Sequence, residues 1–159
     1  MNTVFLCLGG NLGNREENLK NAIQLIKSKL GTITARSSVY ETASWGNADQ
    51  PAFLNQVLEL KTVLSANDVL DACLKIEKDL GRTRNIKWEN RLIDIDILFF
   101  NTEIINQDEL KIPHPLMHER MFVLKPLNEI APHYVHPVYN KTVKELFESC
   151  SDQLKVMRQ

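Results

Sequence analysis

The sequence predicts an α+β domain: an antiparallel sheet with two helices on one face and a ligand cleft on the other. Three observations carry that expectation. Elements read from periodicity and turn residues run strand, helix, strand, strand, helix, strand, which is the split βαβ, ferredoxin-like order. The stretch RLIDIDILFF, residues 91–100, is β-branched and apolar without Gly or Pro, the make-up of a strand inside a sheet. At 159 residues the chain can bury one real core but not two. No repeat, low-complexity tract or Pro/Gly linker divides it, so residues 1–159 are expected to form one domain.

Each element has its own signals. Residues 3–8 read as a buried strand, followed by the turn GGNLGN. A helix should start at Asn14, an N-cap residue with Glu17 three positions on. Its apolar stripe is Leu19, Ala22, Ile23, Ile26 and Leu30, and Gly31 stands just past its end. Residues 32–42 and 53–63 read as strands joined by the ten-residue loop ASWGNADQPA. Ser65 and Asp68 form an S-x-x-D cap for a second helix running to Gly81, with Val69, Cys73, Ile76 and Leu80 as its core stripe. The aspartate strand follows. The last third of the sequence reads as irregular, with one helix over residues 142–150.

Two carboxylates interrupt the aspartate strand. Alternation puts Ile93, Ile95, Ile97 and Phe99 on one face, against the helices, and Asp94 and Asp96 on the other, about 6–7 Å apart at the strand rise. Like charges that close raise each other's pKa unless a cation lies between them. Two solvated side chains on an open sheet face are one explanation. A divalent-metal site is the other, favoured by two carboxylates in register on so apolar a strand.

Further candidates converge on the same face. GRTRNIKWENR, residues 81–91, brings Arg82, Arg84, Lys87 and Arg91 next to the aspartates. Such a run is usually a solvated loop. Beside carboxylates able to hold Mg²⁺, a polyphosphate site explains it better, because Mg²⁺ takes few carboxylates plus phosphate oxygens and arginines neutralise the remaining charge. GGNLGN lacks the Lys-Ser/Thr of a P-loop and reads as a structural turn. In PHPLMHER, His114 and His118 lack a third zinc ligand in pattern, and a His114–Arg120 pair on phosphate fits better. Phe53, Asn55 and Phe122 could stack and hydrogen-bond a flat heterocycle, although two Phe alone are core residues by default.

Composition narrows the classes. With 43% hydrophobic residues, 25% charged residues and a net charge of −1, neither a nucleic-acid nor an anionic-membrane surface is expected. The apolar run at residues 4–8 is too short for a signal peptide or a membrane span, which points to the cytoplasm. Cys7, Cys73 and Cys150 lie far apart with no C-x-x-C and read as small buried hydrophobes.

NRLIDIDIL, preceded by GRTR and followed by PHP and ER-x-F, together with LGGNLGNR and VYET…G..DQPAFLN, resembles 6-hydroxymethyl-7,8-dihydropterin pyrophosphokinase over nearly the whole chain. The resemblance implies a ferredoxin-like enzyme of folate biosynthesis that moves the β,γ-diphosphoryl group of ATP to the pterin hydroxymethyl group and releases AMP. It puts a two-Mg²⁺ site on Asp94 and Asp96, the ions arriving with ATP. ATP contacts fall on Glu77, Arg82, Arg84, Trp88, Arg91, Ile97, His114 and Arg120. The pterin falls on Asn55, on backbone around Thr42 and Trp45, and between Phe53 and Phe122. Arg82, Arg91 and Asp96 are the expected catalytic residues, and a monomer acting on ATP and the pterin is expected. Glu89-Asn90, Ala43, Trp45 and Phe53 replace the Gly-Pro, Pro, Leu and Tyr common in the family.

The two polar loops, residues 43–52 and 83–90, flank this site and are expected to order around ligand. Two other classes share parts of the pattern. A ligand-sensing ferredoxin-like module would not need paired carboxylates. A metal-dependent phosphohydrolase would use them without the pterin.

Overall fold

Residues 1–43, 51–81 and 92–159 are described in the computed structural model. Their elements are β1 (Asn2–Gly10), α1 (Arg15–Lys29), β2 (Thr32–Arg36), β3 (Tyr40–Thr42), β4 (Phe53–Thr62), α2 (Ala66–Asp79) and β5 (Asp94–Phe100), then β6 (Ile105–Asn106), β7 (Lys111–Ile112), a 3₁₀ turn (Met117–Glu119), α3 (Met121–Ile130), β8 (Val135–His136), β9 (Lys141–Thr142), α4 (Val143–Ser149) and β10 (Val156–Arg158). The main sheet runs β10-β3-β4-β1-β5, with β2 also on β4, and the paired strands are antiparallel. Read as β5-β1-β4-β2/β3, this is the ferredoxin-like order with α1 and α2 packed on one face.

The helices form where caps and stripes place them. The Asn14 side chain accepts the Glu17 N–H and the Ser65 hydroxyl accepts the Asp68 N–H. Thr142 and Glu145 close a full capping box on α4. Leu19, Ala22, Ile23 and Ile26 of α1 and Val69, Cys73 and Ile76 of α2 pack on Val4, Leu6 and Leu8 of β1, Leu58 and Leu60 of β4, and Ile93, Ile95 and Ile97. Gly31 serves close approach rather than a left-handed cap: a Cβ there would stand 2.0 Å from the Lys61 carbonyl oxygen.

Four features depart from the sequence expectation. The strand expected over residues 32–42 is broken, because the Ser37 hydroxyl accepts the Val57 N–H (2.9 Å) and the Ser37 N–H goes to the Val57 carbonyl (2.8 Å), a side chain standing in for the ladder. The alternation of the aspartate strand fails at its end. Ile97 faces Leu6 and Phe99 faces Phe5, so Leu98 is a bulge. Phe99 therefore turns to the second face instead of joining the isoleucines.

That second face is partly covered. The last third of the sequence, expected to be irregular around one helix, supplies α3 as well as α4, and they bury Phe5, Cys7, Val57, Leu98 and Phe99 under Val123, Leu127 and Val143. Pro126 lies inside α3 and reads as a breaker, yet the helix is held by the apolar residues it buries. Finally, β10 adds a strand beyond β3. Among the described residues, this face is least covered at Gly9, Phe53 and the start of β5, where Asp94 is half-buried and Asp96 exposed.

His136, 2% exposed, sits under this layer. Its Nδ1 accepts the N–H groups of Val138 and Tyr139, and its ring packs on Phe99 and Tyr139. Burial, with a smaller push from His118, lowers its pKa from 6.5 to about 4. The unfolded chain therefore binds this proton first. The contribution is complete above pH 6.5 and is lost as pH falls toward 4. In His136→Asn, which keeps an acceptor but does not titrate, urea midpoints measured across this window should fall less steeply than in wild type.

Candidate active site

Strand register assembles the open cleft. Gly9 pairs with Asn55 of β4 on one side and Asp94 of β5 on the other, and Cys7 pairs with Val57 and Asp96. Two strand spacings, about 10 Å, therefore separate Asn55 from the first carboxylate. Asp94 is half-buried and Asp96 exposed, on the face opposite the buried Ile93, Ile95 and Ile97.

Gly9 lets the amide reach in. A Cβ on Gly9 would stand 2.6 Å from Asn55 Oδ1, so only glycine leaves room for that oxygen over β1. Asn55 is buried, and its Nδ2 donates to the Thr42 hydroxyl (3.3 Å). Phe53, half-buried, lies two residues earlier on the same face of β4. Sequence reasoning passed over Gly9, although a glycine in a strand interior is itself a sign of close approach.

The opposite wall comes from residues 114–122. The His114 N–H donates to the Leu98 carbonyl (3.1 Å), fastening this segment to β5. His114 Nδ1 accepts the Leu116 N–H (3.2 Å), which places the proton of the neutral ring on Nε2. Burial lowers the pKa of His114; the Asp96 charge works against that and the Arg120 charge adds to it, so both charged groups are close. Arg120 lies over the Phe122 ring, 5.6 Å from its centroid, and both are half-buried. Burial, followed by the charge of Asp96, also raises the pKa of the Cys7 thiol well above its usual range, while Arg120 opposes the rise. Cys7 is thus an inert floor under the carboxylates.

The remaining expected residues divide. Glu77, buried on α2, accepts the Ile95 N–H at 2.7 Å. Together with Ile97 it lies on the helix side of β5, away from the carboxylate face. The stretch expected to be a structural turn divides: Gly9 and Gly10 still belong to β1, and the residues after them tie down the far end of the 43–52 loop, where Asn11 Nδ2 donates to the Pro51 carbonyl (3.1 Å), and Arg15 Nη1 to both the Ala52 carbonyl and the Glu41 carboxylate (2.8 Å each). Trp45, Arg82, Arg84, Lys87, Trp88 and Arg91 lie outside the described residues, and so does most of the two expected gating loops.

The donor set suits Mg²⁺. Asp94 and Asp96 offer hard oxygens, and no cluster of three or more His, Cys, Asp or Glu able to hold a metal occurs among the described residues. Two carboxylates with room for water and phosphate oxygens match this ion better than a closed protein cage.

Comparison with known proteins gives concordant matches. A family model described as 7,8-dihydro-6-hydroxymethylpterin-pyrophosphokinase matches residues 5–132. A relative from Aquifex aeolicus (strain VF5), named 2-amino-4-hydroxy-6-hydroxymethyldihydropteridine pyrophosphokinase, is 43% identical over 145 residues, covering 91% of this chain and 90% of its own. One of the same name from Bacillus subtilis (strain 168) is 45% identical over 130 residues, covering 81% and 78%. Among solved structures, wild-type Plasmodium falciparum HPPK-DHPS with pteroate superposes with a TM-score of 0.76 at 20% identity, over 92% of this chain and 44% of that longer one. An HPPK-DHPS in complex with substrates gives 0.77 at 18%, over 93% and 43%. At such identities these two structures support the fold alone.

Proposed function

The chain belongs to the 7,8-dihydro-6-hydroxymethylpterin-pyrophosphokinase family, and from that premise we propose how its own residues carry out the reaction. The enzyme transfers the β,γ-diphosphoryl group of ATP to 6-hydroxymethyl-7,8-dihydropterin, giving AMP and the pterin diphosphate, in folate biosynthesis. The observation that best supports the assignment of roles is the register across Gly9, with Asn55 on one side and Asp94 on the other.

Asn55 pairs with the donor–acceptor edge of the pterin, and Thr42 holds its amide in place. Phe53 and Phe122 cover the two ring faces, with backbone near Thr42 and Trp45 completing the pocket. The hydroxymethyl group then points along the row toward Asp94 and Asp96, which hold Mg²⁺. Magnesium, brought with ATP as two ions, supplies charge neutralisation on the phosphates and activation of the pterin hydroxyl. ATP lies across the β5 edge, so that Glu77 and Ile97 meet its nucleoside part from the helix side. His114 donates its Nε2–H, and Arg120 and Arg84 their guanidinium groups, to phosphate oxygens. Trp88 contacts the nucleotide, and Arg82 and Arg91 offset charge in the transition state.

The enzyme works as a cytoplasmic monomer on two small molecules, without nucleic-acid partners. The near-neutral charge supports the lack of a nucleic-acid partner, and no helix among the described residues is long and apolar enough to cross a membrane. The test is AMP formation from ATP and Mg²⁺ with and without 6-hydroxymethyl-7,8-dihydropterin. AMP should appear only with the pterin. Phosphate or diphosphate released at the same rate without it would point to a hydrolase.

A further inference from the structure

Residues 152–159 lie beyond the segment matched by the family model, which ends at residue 132, and none of them has a role in the chemistry proposed above. They run along α3 from its first turn to its last. The Asp152 carboxylate accepts the Met121 N–H (3.0 Å). Lys125 Nζ donates to the Val156 carbonyl (2.7 Å). The Arg158 guanidinium lies 3.9 Å from the Glu129 carboxylate. On their other side the same residues pair with β3: Val156 with Thr42, Met157 with Glu41 and Arg158 with Tyr40, and the Gln159 N–H donates to the Val39 carbonyl.

Glu129 closes the far end of this arrangement. Its carboxylate accepts the Ser38 N–H (3.1 Å), the Ser38 hydroxyl (2.9 Å) and the Tyr40 hydroxyl (2.7 Å). Burial pushes this carboxyl up, yet the hydrogen bonds from Tyr40 and Ser38, with Arg158, outweigh that and hold it below its ordinary value. The near end is open to the site. Arg120, the N-cap residue of α3, makes no side-chain capping bond to the helix and lies over Phe122 instead. Asp152, 31 residues from Met121 in sequence, takes the N–H of this first helix residue, one of the donors left without an intrahelical partner at the start of a helix.

The two elements joined here carry opposite walls of the pterin pocket. Phe122 is in the first turn of α3, and Thr42, which holds the Asn55 amide, ends β3. We infer that residues 152–159 are a strap that sets the spacing between Phe122 and Asn55, with Asp152 and Glu129 as positioning residues for the pterin. The inference rests on the pterin wall proposed above.

Steady-state kinetics of the full chain test it. In Asp152→Ala the KM for the pterin should rise about fivefold to tenfold, the scale of one lost hydrogen bond, with kcat within about threefold. Asp152→Asn, which keeps an oxygen able to accept the Met121 N–H, should stay within about twofold of wild type. A merely structural role would lower the melting temperature and leave the pterin KM unchanged. If Asp152→Ala is not recovered folded, Glu129→Ala makes the same test at the other end of the strap. An unchanged pterin KM in the folded variant overturns the inference while Asn55→Ala still raises that KM. If Asn55→Ala leaves it unchanged as well, the pterin wall itself is wrong and the strap falls with it.

Discussion

Asp96→Asn should lower pterin-dependent AMP formation roughly a thousandfold, the scale of losing one group that stabilises transition-state charge. Shape and volume hardly change, and what disappears is a charge. Phosphoryl transfer asks little covalent chemistry of a protein and much positioning and charge neutralisation, so losing a carboxylate in the metal-holding role proposed for Asp96 should cost far more than losing one substrate contact. The fold should survive. Asp96 is exposed while Ile95 and Ile97 on either side are buried, so no core contact is touched, and such surface changes usually stay within about 0.5 kcal/mol. Coupled assay of AMP, beside a circular dichroism spectrum matching wild type, checks both halves.

The second large effect needs no contact with substrate. Gly9→Ala should behave like Asn55→Ala. The added methyl would stand 2.6 Å from Asn55 Oδ1, closer than any real contact of that kind. Asn55 is short, buried and bonded to Thr42, so relief requires its amide to leave the place from which it is proposed to meet the pterin. Both variants should raise the pterin KM by about 10- to 100-fold, as expected where a buried polar partner is left unpaired at roughly 1–3 kcal/mol. The KM for ATP should stay within about threefold. Because both substitutions remove one interaction, the double variant should be little worse than either alone. Additive losses would show that Gly9 acts elsewhere.

Much of this molecule is written locally. Asn14, Ser65 and Thr142 cap helices where a cap and a following stripe coincide, and the alternation from Ile93 to Ile97 sorts the isoleucines from the aspartates. Both signals depend on near neighbours in the chain. The unread features depend on distant ones. Whether Pro126 breaks or merely indents α3 is decided by what Val123 and Leu127 bury, and those partners sit on β1, β4 and β5. The bulge at Leu98 is a choice of register with β1, invisible in an apolar run that can face either way. The pairing of β10 with β3 spans more than a hundred residues and involves three that carry no strand pattern. In the proposed site, the carboxylates and the amide stand out by residue type, whereas the close approach of Gly9 to Asn55 shows only once β1 lies between β4 and β5.

Thermal melts of wild type and Asp96→Asn, in EDTA and in Mg²⁺ with a non-hydrolysable ATP analogue, test most directly whether the carboxylate pair is the metal-holding element. Asp96→Asn keeps the shape of an exposed side chain, so in EDTA it should melt close to wild type. Mg²⁺ and the analogue at about a hundred times the dissociation constant should stabilise wild type by roughly 2.7 kcal/mol and carry it past the variant, which should gain little from the metal. The assignment is contradicted if Asp96→Asn gains as much as wild type from Mg²⁺ and the analogue.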